Sequence, residues 1–320
     1  MHRWLLDHLI CPTCKKAPLK LVVETEAREQ VSKGTLTCSS CGGTYPIQKG
    51  IPRFVDSEKY VDTFSFQRRA VRKHWDWYTA EDSAERIFPD LTPIPIEAYR
   101  NGILLDAGCG YGRWVRFFSD RGVRVVGVDL STDSIELCAD EYSSRKNVGL
   151  IQADIYNLPF PQEHFDNIFS FGVLHHTPDT KAALGHLAKH LKPGGNISIY
   201  VYPEREIVSA YRRVAKRLPM RLLYFLSTFH QYLIMSWLRH LGPIRVIYCR
   251  FVPGQDAQKA WQRVHADLDR YTPVFAHRNT YPTVYGWFRD LGMDDIRMTR
   301  LQISITARKP MPVAATPTCS

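Results

Sequence analysis

The chain has 320 residues, 44% of them hydrophobic and 23% charged, with a formal net charge of +10. That length can bury one large core and a small one, and the globular composition excludes disordered and fibrous classes. The positive balance favours acidic partners such as nucleic acid, phosphorylated metabolites or an anionic membrane surface without choosing among them, and an enzyme that is merely basic fits equally.

At the start, MHRWLLDHLI runs straight into CPTC with no apolar signal region and cleavage site, so export is not expected. Cys11-Pro-Thr-Cys14 and Cys38-Ser-Ser-Cys41 are two paired-thiolate knuckles separated by the strand-like LKLVVET. Together Cys11, Cys14, Cys38 and Cys41 offer the tetrahedral sulfur shell that zinc prefers, in a closed site that staples a segment too small for its own core. Residues 1–56 are therefore read as a zinc ribbon. Cys109, Cys138, Cys249 and Cys319 have no pairing pattern, which places the chain in a reducing cytoplasm.

Residues 57–100 open with aromatic and charged residues and become proline-rich, predicting a helical arm and an irregular linker. From Asn101 a strand and helix rhythm begins. GILLDAG, VRVVGVD, VGLIQAD, NIFSFG and NISIYVYP are strands, with Ser131 capping one helix and LKPGGN closing another. The rhythm stops after Tyr202 and resumes at Val284, after which DDIRMTRL and ISITARK form a closing pair of strands. The fold class predicted is α/β, a doubly wound and mostly parallel seven-stranded sheet of Rossmann-like type. Residues 101–310 form this domain, 203–282 a helical insertion that caps it, and 311–320 a disordered tail. The insertion follows a parallel strand's carboxyl end, where open α/β sheets bind ligands.

Asp106-Ala-Gly108-Cys-Gly110-Tyr-Gly112 joins the first of these strands to its helix. Glycines let backbone approach a ligand, and the helix amino terminus behind them favours a negative group. Arg113 stands where the dinucleotide fingerprint needs its third glycine, so nicotinamide binding is disfavoured. Asp129 and Asp154 end the next two strands, placed to meet a ribose and a base.

LLDAGCGYGRW, VVGVDLS, IQADIYNLPFPQEHFDNIFSFGVLHHTPD and LKPGGNISIYVYP together resemble the class I S-adenosylmethionine-dependent methyltransferases, in particular the ubiquinone and menaquinone biosynthesis branch, methyltransferase type 11. The resemblance implies that Asp106, Gly108, Cys109, Gly110 and Gly112 hold the methionine part of S-adenosylmethionine. By the same resemblance Asp129 and Leu130 would hold its ribose, Asp154 and Ile155 its adenine, and Phe171 would complete the site. LLDHLICPTCKKAPL with CSSCGGTYPIQKGIPRF is similar to small zinc-ribbon activators that bind methyltransferases, here fused to one.

The acceptor has two readings. A small-molecule, lipid or glycan acceptor suits the uncharged run between Arg221 and Arg239, which is read as a helical roof with a face at 222–238 for peripheral membrane contact. An RNA or protein acceptor would use the ribbon and basic insertion as its grip, and nucleic acid is the less favoured partner. Tyr271, His277 and Tyr281 lie in a polar loop assigned to the acceptor. His175 and His176 are the candidate catalytic pair. On an extended strand end they point oppositely, so His175 is given the acceptor side, as base or orienting group, and His176 a structural hydrogen bond. The alternative reading is that both only hold the strand-to-helix turn.

Overall fold

The structure is a computed structural model that describes residues 1–16, 18–27, 29–55, 81–204, 212–215, 217–238, 260–301 and 303–312. The expected arm between 57 and 80 and the tail from 313 onward lie outside the described residues. After one helical turn at Arg3–His8, strands β1 (Leu19–Ala27), β2 (Gln30–Cys38), β3 (Thr44–Gln48) and β4 (Ile51–Pro52) form an antiparallel sheet in chain order. Helix α1 (Glu81–Leu91) follows and includes Pro89 near its end. It therefore extends into the stretch read as linker, because Phe88 is held by aromatic packing on Phe117 and Phe118, with centroids 4.7 and 5.7 Å away.

The large domain contains β5 (Ile103–Ala107), α2 (Arg113–Asp120), β6 (Arg124–Asp129), α3 (Thr132–Tyr142), β7 (Val148–Gln152), β8 (Phe165–Phe171), α4 (Thr180–Lys189) and β9 (Leu191–Tyr200). Then come α5 (Met220–Phe229), α6 (Met235–Leu238), α7 (Ala260–Tyr271), α8 (Tyr281–Asp290), β10 (Asp294–Met298) and β11 (Ser304–Arg308). The seven strands lie in the order β10-β11-β9-β8-β5-β6-β7, parallel from β9 to β7, with β11 antiparallel to both its neighbours. This is the doubly wound sheet expected. Alternation along the strands divides its two faces: Leu105, Val126 and Ile151 join one core, while Leu104, Val125 and Leu150 join the other. Ser131 caps α3 by accepting from the Ser134 N–H.

One local reading changes. LKPGG does not end a helix but begins β9, and the pairing with β8 jumps from Phe165↔Leu191 to Asn167↔Asn196. The glycines supply a bulge, with Gly194 at φ +78°, so the strand can pair before and after it.

The ribbon closes the exposed β7 edge. Its core residues Leu5, Leu9 and Leu36 belong to the same buried cluster as Leu105 and Ile151. The Phe54 N–H donates to Gln152 O at 2.9 Å, and Ile10 N–H to Pro159 O at 3.0 Å. Arg53 donates to Gln152 Oε1 at 2.9 Å and to Glu136 Oε1 at 2.7 Å, while the indole of Trp4 donates to Lys146 O at 3.0 Å. A sheet edge that would otherwise attract other strands is covered by backbone and side chain alike. No helix among the described residues is long and apolar enough to cross a membrane.

Candidate functional site

Strand order reverses around β5, whose neighbours are β6 and β8, and this is where open α/β sheets bind ligands. A cleft stands there, lined by Gly108 to Tyr111, by Trp114, Phe171 and Val173, and by Tyr202 and Asp269. The glycine loop leaves β5 with Gly108, Gly110 and Gly112 all at positive φ, between 55° and 88°. Any side chain at Gly108 would begin 2.3 Å from Val173 Cγ1, so only glycine fits between the two strands' carboxyl ends. Gly112 does different work: it caps α2, and a Cβ there would meet Cys138 Sγ and the Tyr142 ring under 2.8 Å. Cys109 is buried beside Cys138, and burial pushes its thiol well above the usual range.

Asp129 orients the loop. Its two carboxylate oxygens accept from Gly110 N–H at 2.9 Å and Ser131 N–H at 2.8 Å. Asp106, ending the same strand as the loop, is 1% exposed, and its Oδ2 has no hydrogen-bond partner among the described residues. Burial, with Asp129 nearby, raises its pKa to about 8. A buried carboxyl without a partner beside a glycine loop suits a cationic ligand, and S-adenosylmethionine carries both a sulfonium and an ammonium. The residues fit that cofactor.

Other assigned residues are more remote. Leu130 and Ile155 are buried, and Leu130 O accepts from Gln152 Nε2 at 2.9 Å. Asp154 lies two residues past β7 and caps the next turn by accepting from Tyr156 N–H at 3.0 Å. Phe171 lines the cleft, stacked on Tyr200 and edge-on to Trp114.

The histidines are not at an extended strand end. They occupy a helical turn, Leu174–His176, and their ring centroids lie 4.0 Å apart. Alternation does not apply there because successive side chains in such a turn diverge by about 120°. His175 is fully buried, and neither ring nitrogen has a hydrogen-bond partner among the described residues. Burial holds it well below the usual histidine range, and the charges of His176, Arg278, His277 and Arg212 act the same way. His175 is not among the residues lining the cleft; it packs 4.0 Å from the ring of Tyr202, which is. His176 Nδ1 is bonded to Phe275 O at 3.0 Å.

The loop residues assigned to the acceptor do not converge on the cleft. His277 Nε2 bonds Thr177 O and Pro178 O at 3.1 and 3.0 Å, and Tyr281 donates to Leu301 O at 2.9 Å. Tyr271 is partly buried at the end of α7. Two residues without a local sequence signal stand on the cleft instead. The Tyr202 hydroxyl donates to Asp269 Oδ2 at 2.5 Å, joining the end of β9 to α7. Arg278 lies over the Tyr202 ring, 5.3 Å from its centroid. Arg212 donates to Pro273 O at 2.8 Å, and burial, then Arg278, lowers its pKa to about 10.

At the ribbon's tip the sulfurs of Cys11, Cys14, Cys38 and Cys41 all lie within 4.8 Å of one another. Cys11–Cys41 and Cys14–Cys38 are each 3.6 Å apart. Sulfurs about 2.3 Å from a tetrahedral zinc stand about 3.8 Å apart, so the cluster has the dimensions of a zinc site. The Tyr45 hydroxyl, 3.2 Å from Cys11 Sγ, and Ser40 N–H, 3.4 Å from Cys38 Sγ, steady the thiolates.

Residues 105–199 match the family described as methyltransferase domain, and residues 2–50 match Trm112p-like protein. An O-methyltransferase, rstn1, of Aspergillus nomiae is 30% identical over 133 residues, which are 39% of this chain and 59% of that one. Demethylmenaquinone methyltransferase of Thermobifida fusca is 33% identical over 118 residues, 36% and 50% of the two chains. tRNA (carboxymethyluridine(34)-5-O)-methyltransferase of Arabidopsis thaliana is 34% identical over 145 residues, 44% of this chain and 34% of the relative. The chain thus spans between 34% and 59% of these relatives' own length.

Proposed function

We propose that this chain, which joins a Trm112p-like zinc ribbon to a class I methyltransferase domain, transfers a methyl group from S-adenosylmethionine to a small-molecule, lipid or glycan acceptor. The observation that carries the reading is one cleft shared by the glycine loop and the Tyr202–Asp269 pair. S-adenosylmethionine supplies an electrophilic methyl carbon on a sulfonium leaving group. Gly108, Cys109 and Gly110 hold its methionine part, with Asp106 answering the positive charge and Asp129 the ribose. The assignment of Leu130, Asp154 and Ile155 to the far end of the cofactor rests on the family resemblance.

Aligning the acceptor and excluding water supply most of the help that such a displacement needs. Trp114, Phe171 and Val173 give the cleft an apolar and aromatic lining suited to that task. When the acceptor atom must lose a proton, the Tyr202–Asp269 pair takes it as a relay: the Tyr202 oxygen receives the acceptor's proton while its own hydroxyl proton passes to Asp269 Oδ2, which ends as a neutral carboxylic acid. His175 then acts as the orienting group, packed against Tyr202, and His176 ties the turn to the cap through Phe275. Residues 101–310 are the transferase unit, the described part of 203–282 its cap, and residues 1–56 its structural support. The free cysteines suit a reducing compartment.

A second reading, a tRNA acceptor, is favoured by the tRNA methyltransferase among the relatives and by the net charge of +10. Calorimetric titration tests the primary reading at its first step. S-adenosylmethionine is expected to bind, and Asp129→Ala to cost about 1.5–3 kcal/mol of affinity, the usual loss for a charged hydrogen-bonding partner. Absence of binding by the unmodified chain overturns the reading. Labelled cofactor incubated with a fractionated extract then separates the acceptors: label in lipid or small molecules supports the first, label in tRNA the second.

A further inference from the structure

We propose that the cap carries a docking face for an anionic lipid surface, formed by the outward side of α5, the turn His230–Ile234 and α6. A helix on a water-soluble domain normally turns its polar side chains outward and its apolar ones to the core. Here the arrangement is inverted. Ser227 Oγ and Gln231 Nε2, four residues apart, both point inward and donate to Oδ2 of buried Asp267 on α7, at 2.9 and 2.8 Å. Arg263 Nε on the same helix donates to Gln231 Oε1 at 2.9 Å. Polar pairing therefore fixes which way the segment faces, and what it turns away is apolar.

Leu222, Phe225, Phe229, Leu233 and Trp237 are all exposed, and they recur every third or fourth residue along one side. Phe225 is 62%, Leu233 59% and Trp237 66% accessible, and no residue of Met220–Phe229 is buried. From Leu222 to Leu238 the sequence has no Asp, Glu, Lys or Arg. An apolar stripe of this kind needs a cover.

Charge selects the cover. Arg213, Arg217 and Arg221, all exposed, precede the stripe, and no carboxylate residue occurs anywhere from Ile207 to Gln255. A second copy docking the same face would offer these arginines only the same segment, which has no carboxylate to pair them. A bilayer with anionic headgroups instead pairs them, while Phe, Leu and Trp side chains enter the boundary between headgroups and acyl chains. Since no described helix can span a bilayer, the segment lies on the surface rather than crossing it. The face also adjoins the cleft through one helix: α7 holds α5 through Asp267 and lines the cleft through Asp269, two residues on. The docking face stands on its own residues and does not depend on the methyl-transfer reading.

The test is sedimentation of the full, zinc-loaded chain with vesicles of phosphatidylcholine, with and without phosphatidylglycerol. Binding to the anionic vesicles is expected, weakened at least about tenfold in neutral vesicles and in Phe225→Ser/Leu233→Ser/Trp237→Ser. That triple variant replaces exposed side chains and should keep the thermal midpoint; if it fails to fold, Arg213→Glu/Arg217→Glu/Arg221→Glu decides, with the same loss expected. No binding to anionic vesicles overturns the proposal. So does sedimentation equilibrium that finds a dimer broken by the triple variant, without lipid binding, which gives the face to a second copy.

Discussion

Where the ribbon meets the large domain, polar groups pair across the contact, with His164 Nε2 beside His8 an exception among the described residues; at the carboxyl end of β5 and just past β8, a carboxyl and an imidazole are enclosed unpaired. The ribbon side spends Arg53 on Gln152 and Glu136, the Trp4 indole on Lys146 O, and Lys15 Nζ on Leu158 O. On the cleft side, Asp106 Oδ2 and both ring nitrogens of His175 are enclosed without hydrogen bonds among the described residues. Both regions are built on the same sheet and share its cores, so dense packing alone does not distinguish them. Pairing across a contact suits a structural role, and an enclosed carboxyl and imidazole without hydrogen bonds next to a cleft suit groups that meet a ligand or a proton there.

The comparison is broken most severely by taking away the metal. Structural zinc contributes apparent binding free energy of about 10–16 kcal/mol, and it is folding free energy. Because Leu5 and Leu9 of the ribbon share a core with Leu105 and Ile168, chelation or Cys38→Ser is expected to destabilise the whole chain, not the ribbon alone. Metal analysis should find one zinc per chain, and calorimetric melting should lose its main transition on chelation. An unchanged transition would mean that the edge is covered but not supported.

The cleft side is sharpened by separating Tyr202 from His175. Tyr202→Phe keeps the ring packed on His175 and removes the hydroxyl that meets Asp269, so turnover is expected to fall by about 10²–10⁴, with cofactor affinity kept. His175→Phe keeps the bulk and is expected to lose less, about tenfold, with no change in the shape of the pH profile. Burial holds His175 well below its usual range, so it contributes no limb between pH 7 and 9. If an inflection in that window disappears in His175→Phe, the histidine is the base and Tyr202 its neighbour.

How much of this was legible in the sequence depends on range. The knuckles, the glycine loop and the strand ends at Asp106 and Asp129 are local patterns, and the chain folds them where their spacing says. The strand count and the mainly parallel sheet follow from the same alternation. Tyr202 and Asp269, by contrast, are 67 positions apart and meet only because the end of α7 returns to the residues that follow β9. No periodicity in DLDRY marks its second aspartate as facing a cleft. The placement of the histidine pair differs from the sequence reading for another reason: FSFGVLHH reads as a strand running into a turn, but Gly172 takes φ +72° and ends the strand before the pair. The polarity of their loop singles out His277 and Tyr281, but His277 Nε2 and the Tyr281 hydroxyl both bond to backbone carbonyls.

A gentler break is available at the ribbon's edge. Arg53 is 7% exposed and bridges two elements of the large domain. Arg53→Ala leaves Gln152 Oε1 and Glu136 each short of a donor, which costs about 2 kcal/mol and lowers the melting midpoint by roughly 3 °C. Cofactor affinity should be nearly unaffected, since Asp129 and the loop keep their bonds to one another. A loss of affinity as large as the loss of stability would show that ribbon and cleft are coupled through Gln152.

The smallest expected effect is a fraction of a proton, and it examines the orphaned carboxyl directly. Asp106 has its pKa raised from 3.8 to about 8 by burial and by Asp129. Between those values the native state holds a proton that the unfolded chain does not, so the contribution to stability falls as pH rises from about 4 and levels off above about 8. A ligand of net positive charge placed beside Asp106 reverses its preference and drives the proton off. Titration in buffers of different ionisation enthalpy should therefore record release of ~0.9 proton on S-adenosylmethionine binding at pH 7, shrinking to ~0.1 at pH 9. Asp106→Asn should release none, bind the cofactor more weakly, and lose its share of the decline in stability with pH. Equal proton release by Asp106→Asn and the unmodified chain would place the cation elsewhere in the cleft and leave the buried carboxyl as a feature of packing.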